Sequence, residues 1–189
     1  MKLLNIVMIS VIGTALINCA QERDRTTGGN SDPAETVSTV QFFNNMSTLC
    51  GQSFTGGIDY PDDPEHEMAG YVYTMIVESC SESEIRIPFH VGENRSRTWV
   101  LTLDGERLLL KHDHRHEDGS PEDLTMYGGY ANEDGDAYRQ YFPADEQTAG
   151  MLPEAATNVW MMHIDKENNR FVYYLERHNE PRFRAVFTM

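Results

Sequence analysis

Histidine recurs at every second position of one polar segment, as His112, His114 and His116. Residues two apart on a β-strand lie on one face, about 6.5–7 Å from each other. Neutral imidazole is a common ligand of Zn²⁺ and Cu²⁺. The spacing predicts a zinc or copper site on these three residues, with His90 or His163 as a further ligand. The alternative is a polar turn in which the histidines pair with acids in solvent.

A second group of basic residues precedes Trp99. Arg95 and Arg97 flank the start of an alternating segment, and Arg97 falls on the same face as Trp99. A guanidinium on an apolar face is costly unless it is paired, and its planar fork suits carboxylates. We therefore predict that Arg97 holds an anionic ligand. Alternatively, it forms an internal salt bridge with Asp113 or Glu176.

Aromatic residues accompany both basic groups. We expect core packing for most tyrosines and tryptophans, or a cavity lined with hydroxyls in its place. The aromatic set comprises Tyr71, Tyr73, Tyr127, Tyr130, Tyr138, Tyr141, Tyr173, Tyr174, Trp99 and Trp160. The predicted ligand-binding residues are His90, Arg95, Arg97, Trp99, Lys111 and Tyr127.

Three functions remain open at this point. The first is binding of a small ligand or metal ion through the His/Arg cluster. The second is an enzyme that uses the same cluster for acid–base chemistry, because histidine titrates near neutrality. The third is a non-catalytic interaction or structural domain of the cell envelope. The sequence has no HExxH, GxSxG, P-loop or GxGxxG motif, and its acidic stretches 59–67 and 132–136 fit solvated turns better than an EF-hand.

Composition excludes further classes of function. The chain has 189 residues, with 15 Lys and Arg against 30 Asp and Glu, and a net charge of −15. This length fits one domain. Strong negative charge disfavours binding to nucleic acid or to anionic lipid. The basic stretches 95–97 and 111–115 are therefore local exceptions where a ligand site is expected.

The hydrophobic period changes along the chain. Asp32 and Pro33 form a helix start, and apolar residues then recur at three-residue steps, which predicts one helix over about 33–48. Beyond Gly51 the period becomes two, and each apolar segment ends in turn residues. The predicted strands are 52–58, 69–79, 83–91, 96–103, 106–114, 122–130, 137–142, 156–164, 170–178 and 182–188.

This order of elements predicts a mainly β fold, an antiparallel meander with one N-terminal helix. Closure into a barrel of about 8–10 strands would remove exposed edges, and a β-sandwich is the alternative. The layout resembles the calycin-like barrels, such as lipocalins and fatty-acid-binding proteins. Phe54-Thr55-Gly56 is similar to the G-x-W region of lipocalins, although it lacks the Trp. Stretches 87–101 and 111–122 are similar to small secreted proteins of Gram-negative bacteria, which implies no function.

The N-terminus carries a targeting pattern. Lys2 precedes an uncharged apolar run that ends at Leu16-Ile17-Asn18-Cys19. This run resembles the lipobox signal of bacterial lipoproteins. The resemblance implies a signal peptide over 1–18, lipidation of Cys19, and, because Ala20 follows, sorting to the outer membrane facing the periplasm. We expect a disordered tether over 19–35 and a single barrel domain over 36–189.

With Cys19 taken by lipid, two cysteines remain. In an oxidising compartment Cys50 and Cys80 are expected to form a disulfide, the alternative being two buried thiols. The expected partners are a small molecule or metal ion, and a membrane through the lipid anchor alone. Nucleic acid is not expected as a partner, and the oligomeric state is left open.

Overall fold

The computed structural model describes residues 33–189, and their side chains from residue 38 onward. The predicted signal peptide, the lipidation site Cys19 and most of the predicted tether lie outside the described residues. Within the described part, no helix has the length and apolar character needed to cross a membrane.

Strands dominate the described chain. They are β1 (Ser53–Tyr60), β2 (Tyr73–Ile76), β3 (Ser79–Cys80), β4 (Glu84–Val91), β5 (Asn94–Asp104), β6 (Arg107–His114), β7 (Tyr127–Tyr130), β8 (Arg139–Pro143), β9 (Asn158–Asp165), β10 (Arg170–Arg177) and β11 (Glu180–Thr188). The helical elements are α1 (Pro33–Ser47), α2 (Glu146–Met151) and a short 3-10 turn (Pro153–Ala155). Because α1 begins at Pro33, the last residues of the predicted tether are helical.

The strands form one antiparallel sheet that is nearly closed into a barrel. Their order around the sheet is β7-β6-β5-β4-β2-β1-β11-β10-β9-β8, with β3 beside β4. The two end strands approach each other, since the amide of Asn132 donates to the Tyr141 carbonyl and that of Asp145 to the Gly128 carbonyl, both at 2.9 Å. The predicted mainly β, antiparallel barrel with one N-terminal helix is confirmed. The short helical segment between β8 and β9 was not predicted.

A pair of glycines permits the approach of β7 and β8. A Cβ atom at Gly129 would lie 1.9 Å from the Pro143 carbonyl oxygen, and one at Gly128 would lie 2.0 Å from the Leu110 carbonyl oxygen. Both distances are far inside van der Waals contact, so only glycine fits at these positions. Local sequence on β7 therefore contributes directly to closure of the barrel.

One end of the barrel is covered by α1. Phe42, Phe43 and Met46 on this helix are buried in the core. The Thr39 hydroxyl donates to the Glu106 carbonyl at 2.6 Å, which fixes the helix to the β5–β6 turn. Alternate connections of a meander lie at the same end, so the opposite end is formed by segments 61–72, 92–93, 115–126, 144–157 and 178–179. We call this opposite end the mouth.

Aromatic rings stack through the interior of the barrel. The Trp99 ring lies 4.5 Å from the Phe89 ring and 4.4 Å from the Tyr173 ring, and both pairs are stacked. Trp99 is on β5 and Tyr173 on β10, so this contact joins two distant strands. The stack forms a solid floor beneath the mouth.

A disulfide joins Cys50 and Cys80, the predicted pair, with Cα atoms 6.2 Å apart. It connects the turn after α1 to β3. The closed loop spans 30 residues. On the chain-entropy account, such a crosslink contributes about 3–4 kcal/mol to the free energy of unfolding.

Candidate functional site

A cavity of about 440 Å³ opens at the mouth. Several aromatic side chains line its walls, among them Trp99, Tyr127, Trp160 and Tyr173. A cavity of this size and character is typical of small-molecule sites, which commonly enclose about 300–1,000 Å³. We call it the mouth cavity.

Strand alternation aims a polar group of β6 into this cavity. Leu108, Leu110 and His112 are all buried on the inner face of the strand, and His114 follows on the same face. In the β5–β6 ladder, His112 pairs with Trp99 and His114 with Arg97. The predicted continuation of the leucine face by histidine is therefore confirmed for the two residues that lie within the strand.

His112 is held in a fixed, neutral state. Its Nδ1 lies 3.1 Å from the Tyr127 carbonyl oxygen and its Nε2 lies 2.7 Å from the Tyr173 hydroxyl. A carbonyl only accepts, so Nδ1 carries the proton and Nε2 accepts from the tyrosine hydroxyl. Burial lowers the pKa of His112 from 6.5 to about 3, so the ring is uncharged at neutral pH.

His114 forms a second chain of polar groups. Its Nε2 lies 2.9 Å from the Tyr127 hydroxyl, and its Nδ1 lies 3.7 Å from a carboxylate oxygen of Glu122. Burial, followed by the nearby positive charge of Arg97, lowers the pKa of His114. Burial also raises the pKa of Tyr127 to about 12. Both histidines thus use ring nitrogens in contacts with tyrosines of the cavity wall.

Arg97 is the cation of this wall. Its side chain is half-buried and lines the mouth cavity. The Arg97 guanidinium forms no hydrogen bond or ion pair with another described residue. The first predicted partner, Asp113, lies on the outer side of β6 and instead accepts from Arg86 at 2.6 Å. The second predicted partner, Glu176, accepts from the Tyr174 hydroxyl at 3.5 Å.

Two predicted ligand-binding residues lie outside the mouth cavity. His90 alternates with the buried residues Phe89 and Val91, so its side chain lies on the outer face of β4. Arg95 is exposed at the start of β5, where it donates to the Gly92 carbonyl at 2.5 Å. The structure therefore does not bring these two side chains together with Arg97, because strand alternation and the β4–β5 turn direct them away from the cavity.

Lys111 also lies outside the mouth cavity. It lies on the face of β6 opposite to His112, and its Nζ donates to Asp145 at 2.6 Å and to Gln147 at 3.3 Å. Asp145 is the N-cap of α2, since it accepts from the Thr148 amide at 2.8 Å. Lys111 therefore fastens α2 to the outside of the barrel.

The three histidines do not gather around one point. His116 is exposed beyond the end of β6, while His112 and His114 contact tyrosines. Among residues 33–189, no three His, Cys, Asp or Glu side chains are arranged to hold a metal ion. The zinc or copper site predicted on this triplet is therefore not supported by the geometry.

Some polar residues of the mouth cavity were not predicted as site residues. Arg177 lies on the same inward face of β10 as Tyr173 and Leu175, at two-residue steps. Alternation along this strand could therefore have predicted that Arg177 points inward. Glu122 and Glu154 also line the cavity. Glu122 lies in an irregular segment and Glu154 in the short 3-10 turn, and neither has a strand periodicity that could have indicated its direction.

A larger depression of about 1030 Å³ lies on the outer face of β8 to β11 and β1. Two of its arginines are already paired, Arg170 with Asp165 at 2.7 Å and Arg184 with Asp59 at 2.5 Å. The guanidinium of a third arginine of the depression, Arg139, contacts His163, and its Nε is buried without a hydrogen-bond partner among the described residues. We take the mouth cavity as the candidate site because aromatic rings line it beside the guanidinium of Arg97.

Comparisons with models of known protein families, with curated proteins and with solved structures found no match.

Proposed function

We propose that the mouth cavity binds a small organic anion, a carboxylate attached to an apolar body. The observation that carries this proposal is the half-buried guanidinium of Arg97, which has no partner among the described residues. A charged group in an apolar wall is stabilised when a carboxylate occupies its bidentate fork. An acidic protein that binds an anion needs a local cation of this kind.

The tyrosine and histidine groups of the wall contact each other, which leaves Arg97 as the group for an anionic head. The Tyr173 hydroxyl donates to His112, and the Tyr127 hydroxyl lies against His114. These contacts occupy the hydroxyls, whereas the guanidinium N–H groups of Arg97 are available to an incoming ligand. The aromatic rings around them suit the apolar part of the same molecule.

An enzyme that uses the same cluster is the second candidate. Its support is the chain from Tyr127 through His114 toward Glu122, which could move a proton. Within residues 33–189, however, the cavity histidines hydrogen bond to tyrosines and not to Ser or Cys, the usual nucleophiles. Binding without catalysis is therefore the function that we favour.

We also propose that a lipid on Cys19 anchors the barrel to the outer membrane, facing the periplasm. The lipobox-like end of the N-terminal apolar run supports this location. Labelling of growing cells with radioactive palmitate should mark the wild-type protein and not Cys19→Ser. Equal labelling of both proteins would contradict the anchor.

Isothermal titration calorimetry with decanoate tests the ligand site. Arg97→Gln should weaken decanoate binding by about tenfold or more, because a charge-assisted hydrogen bond is worth about 1.5–3 kcal/mol. Arg95→Gln is the matched control, since it removes the same charge two residues away but outside the cavity. Absence of decanoate binding, or equal weakening by both substitutions, would overturn the proposal.

A further inference from the structure

We infer that the ligand carries two anionic groups, one at each end of an apolar spacer. This inference rests on the proposed function and extends it. It starts from a second guanidinium, that of Arg177, which lines the mouth cavity together with Arg97.

The two arginines lie on opposite walls. In the order of ten strands around the barrel, β5 with Arg97 is third and β10 with Arg177 is eighth. The difference is five, and five steps also separate them in the other direction, through the β7–β8 closure. In a closed order of ten strands, five steps is the largest separation that two strands can have.

The stacked rings of Trp99 and Tyr173 set the level of these arginines. The two rings come from the same two strands and meet at 4.4 Å. Arg97 lies two residues closer to the mouth than Trp99 along β5, and Arg177 lies four residues closer than Tyr173 along β10. Each guanidinium therefore stands at the mouth, above one side of the ring stack.

Arg177 is oriented by a neighbour and yet has unused donors. Its Nε donates to the Asn158 side-chain oxygen at 2.8 Å, which fixes the plane of the guanidinium. No ion pair joins Arg177 to an acid among the described residues, and its terminal N–H groups form no hydrogen bond there. A fixed guanidinium with free terminal donors is suited to a second carboxylate.

Two acids also line the cavity and could favour a cation instead. Glu122 lies 3.7 Å from His114, and Glu154 is exposed to solvent at the rim. The side chain of Glu122 is 32% exposed, and exposure to water weakens the field of both carboxylates. The geometry points to an α,ω-dicarboxylate, and a zwitterion of the same length provides the direct competitor for the test.

The experiment compares three probes of one length by calorimetry: octanedioate, octanoate and 8-aminooctanoate. A series from hexanedioate to dodecanedioate finds the best spacer. We expect octanedioate, or the best dicarboxylate, to bind about tenfold or more tightly than the matched monocarboxylate. Arg177→Gln should reduce this advantage to about twofold or less.

Further variants sharpen the comparison. Arg177→Lys keeps the charge and should retain part of the advantage, whereas Arg97→Gln should weaken both acids. Arg182→Gln is the control, since Arg182 is exposed on β11 and outside the cavity. If Arg177→Gln does not fold, the affinities of the wild-type protein for the three probes still test whether the ligand carries two anionic groups.

The outcomes separate the inference from the proposed function. Equal affinity for octanedioate and octanoate would overturn the inference that the ligand carries two anionic groups. Binding of 8-aminooctanoate as tightly as the dicarboxylate would also overturn it. Both outcomes would leave the proposal of anion binding intact. If no acid of the series binds the wild-type protein, anion binding in the mouth cavity is itself wrong.

Discussion

The Tyr173 hydroxyl and the His112 imidazole meet at 2.7 Å inside the barrel. Tyr173 is on β10 and His112 on β6, so the hydrogen bond connects two walls that share no ladder. Both residues are buried, and each would be left with an unsatisfied polar atom without the other. This bond therefore stabilises the barrel at the level where the mouth cavity begins.

Tyr173→Phe should lower the free energy of unfolding by about 2 kcal/mol. The substitution keeps the stacked ring but leaves the His112 Nε2 buried without a donor, a loss of about 1–3 kcal/mol. Urea denaturation followed by circular dichroism measures the change. Tyr174→Phe is the control because its hydroxyl lies on the outer face, 3.5 Å from Glu176, and it should change stability by less than about 0.5 kcal/mol.

His112 should make the barrel less stable as the pH falls. Burial lowers its pKa in the folded protein to about 3, against about 6.5 in the unfolded chain. Between these values the unfolded state binds one more proton, so the free energy of unfolding decreases by about 1.4 kcal/mol per pH unit as the pH is lowered. Above the unfolded pKa, this residue contributes no pH dependence.

Comparison with His112→Gln isolates this effect. The stability lost between about pH 7 and about pH 5 should be about 2 kcal/mol greater for the wild type than for the variant. The carboxyl groups with lowered pKa values titrate at lower pH. Their contribution is the same in both proteins, so it cancels when the two stability losses are subtracted. Equal losses for the two proteins, or an NMR titration in which the His112 ring protonates near its usual pKa, would refute the buried neutral imidazole.

Lys111→Met should affect stability and not binding. The Nζ of Lys111 is 2.6 Å from Asp145, and the lysine side chain is only 9% exposed, so its removal leaves the α2 cap without a counter-charge. We expect a loss of about 1–2 kcal/mol, moderated because Asp145 still accepts from Thr148. Lys166→Met, at an exposed lysine, is the control. A weaker decanoate affinity in Lys111→Met would place this lysine in the ligand site after all.

Gly129→Ala should destabilise the barrel by about 3 kcal/mol or more. The added methyl group would lie 1.9 Å from the Pro143 carbonyl, so β7 and β8 must separate. Gly57→Ala is the matched control, because Gly57 is also in a strand but has no atom within 4 Å of the added Cβ. A thermal melt in which both variants lose the same stability would show that the β7–β8 contact is not tight.

Strand positions could be predicted well wherever alternation was clean. The segments 83–91, 106–114 and 170–178 correspond to β4, β6 and β10 within one residue at each end. Segment 69–79 was wrong as one strand, because it divides into β2 and β3. The chain leaves the ladder where the Val77 amide donates to the Gln52 carbonyl at 2.9 Å.

The candidate site was predicted in part. Arg97, Trp99, Tyr127, His112 and His114 all line the mouth cavity. His90 lies outside the cavity, since alternation places it opposite Phe89 on β4. Lys111 lies outside it for the same reason, because it alternates with His112 along β6.

The sequence by itself determined which face of a strand each side chain occupies. A period of two is a local property of the extended chain, so the inward positions of Arg97, His112 and Arg177 needed no other strand. The tertiary structure alone decided which inward residues meet. Tyr173 contacts His112, and Arg177 stands across from Arg97, because the number of strands and the closure at Gly129 set those neighbours. Contacts across a barrel depend on long-range pairing, which no local pattern encodes.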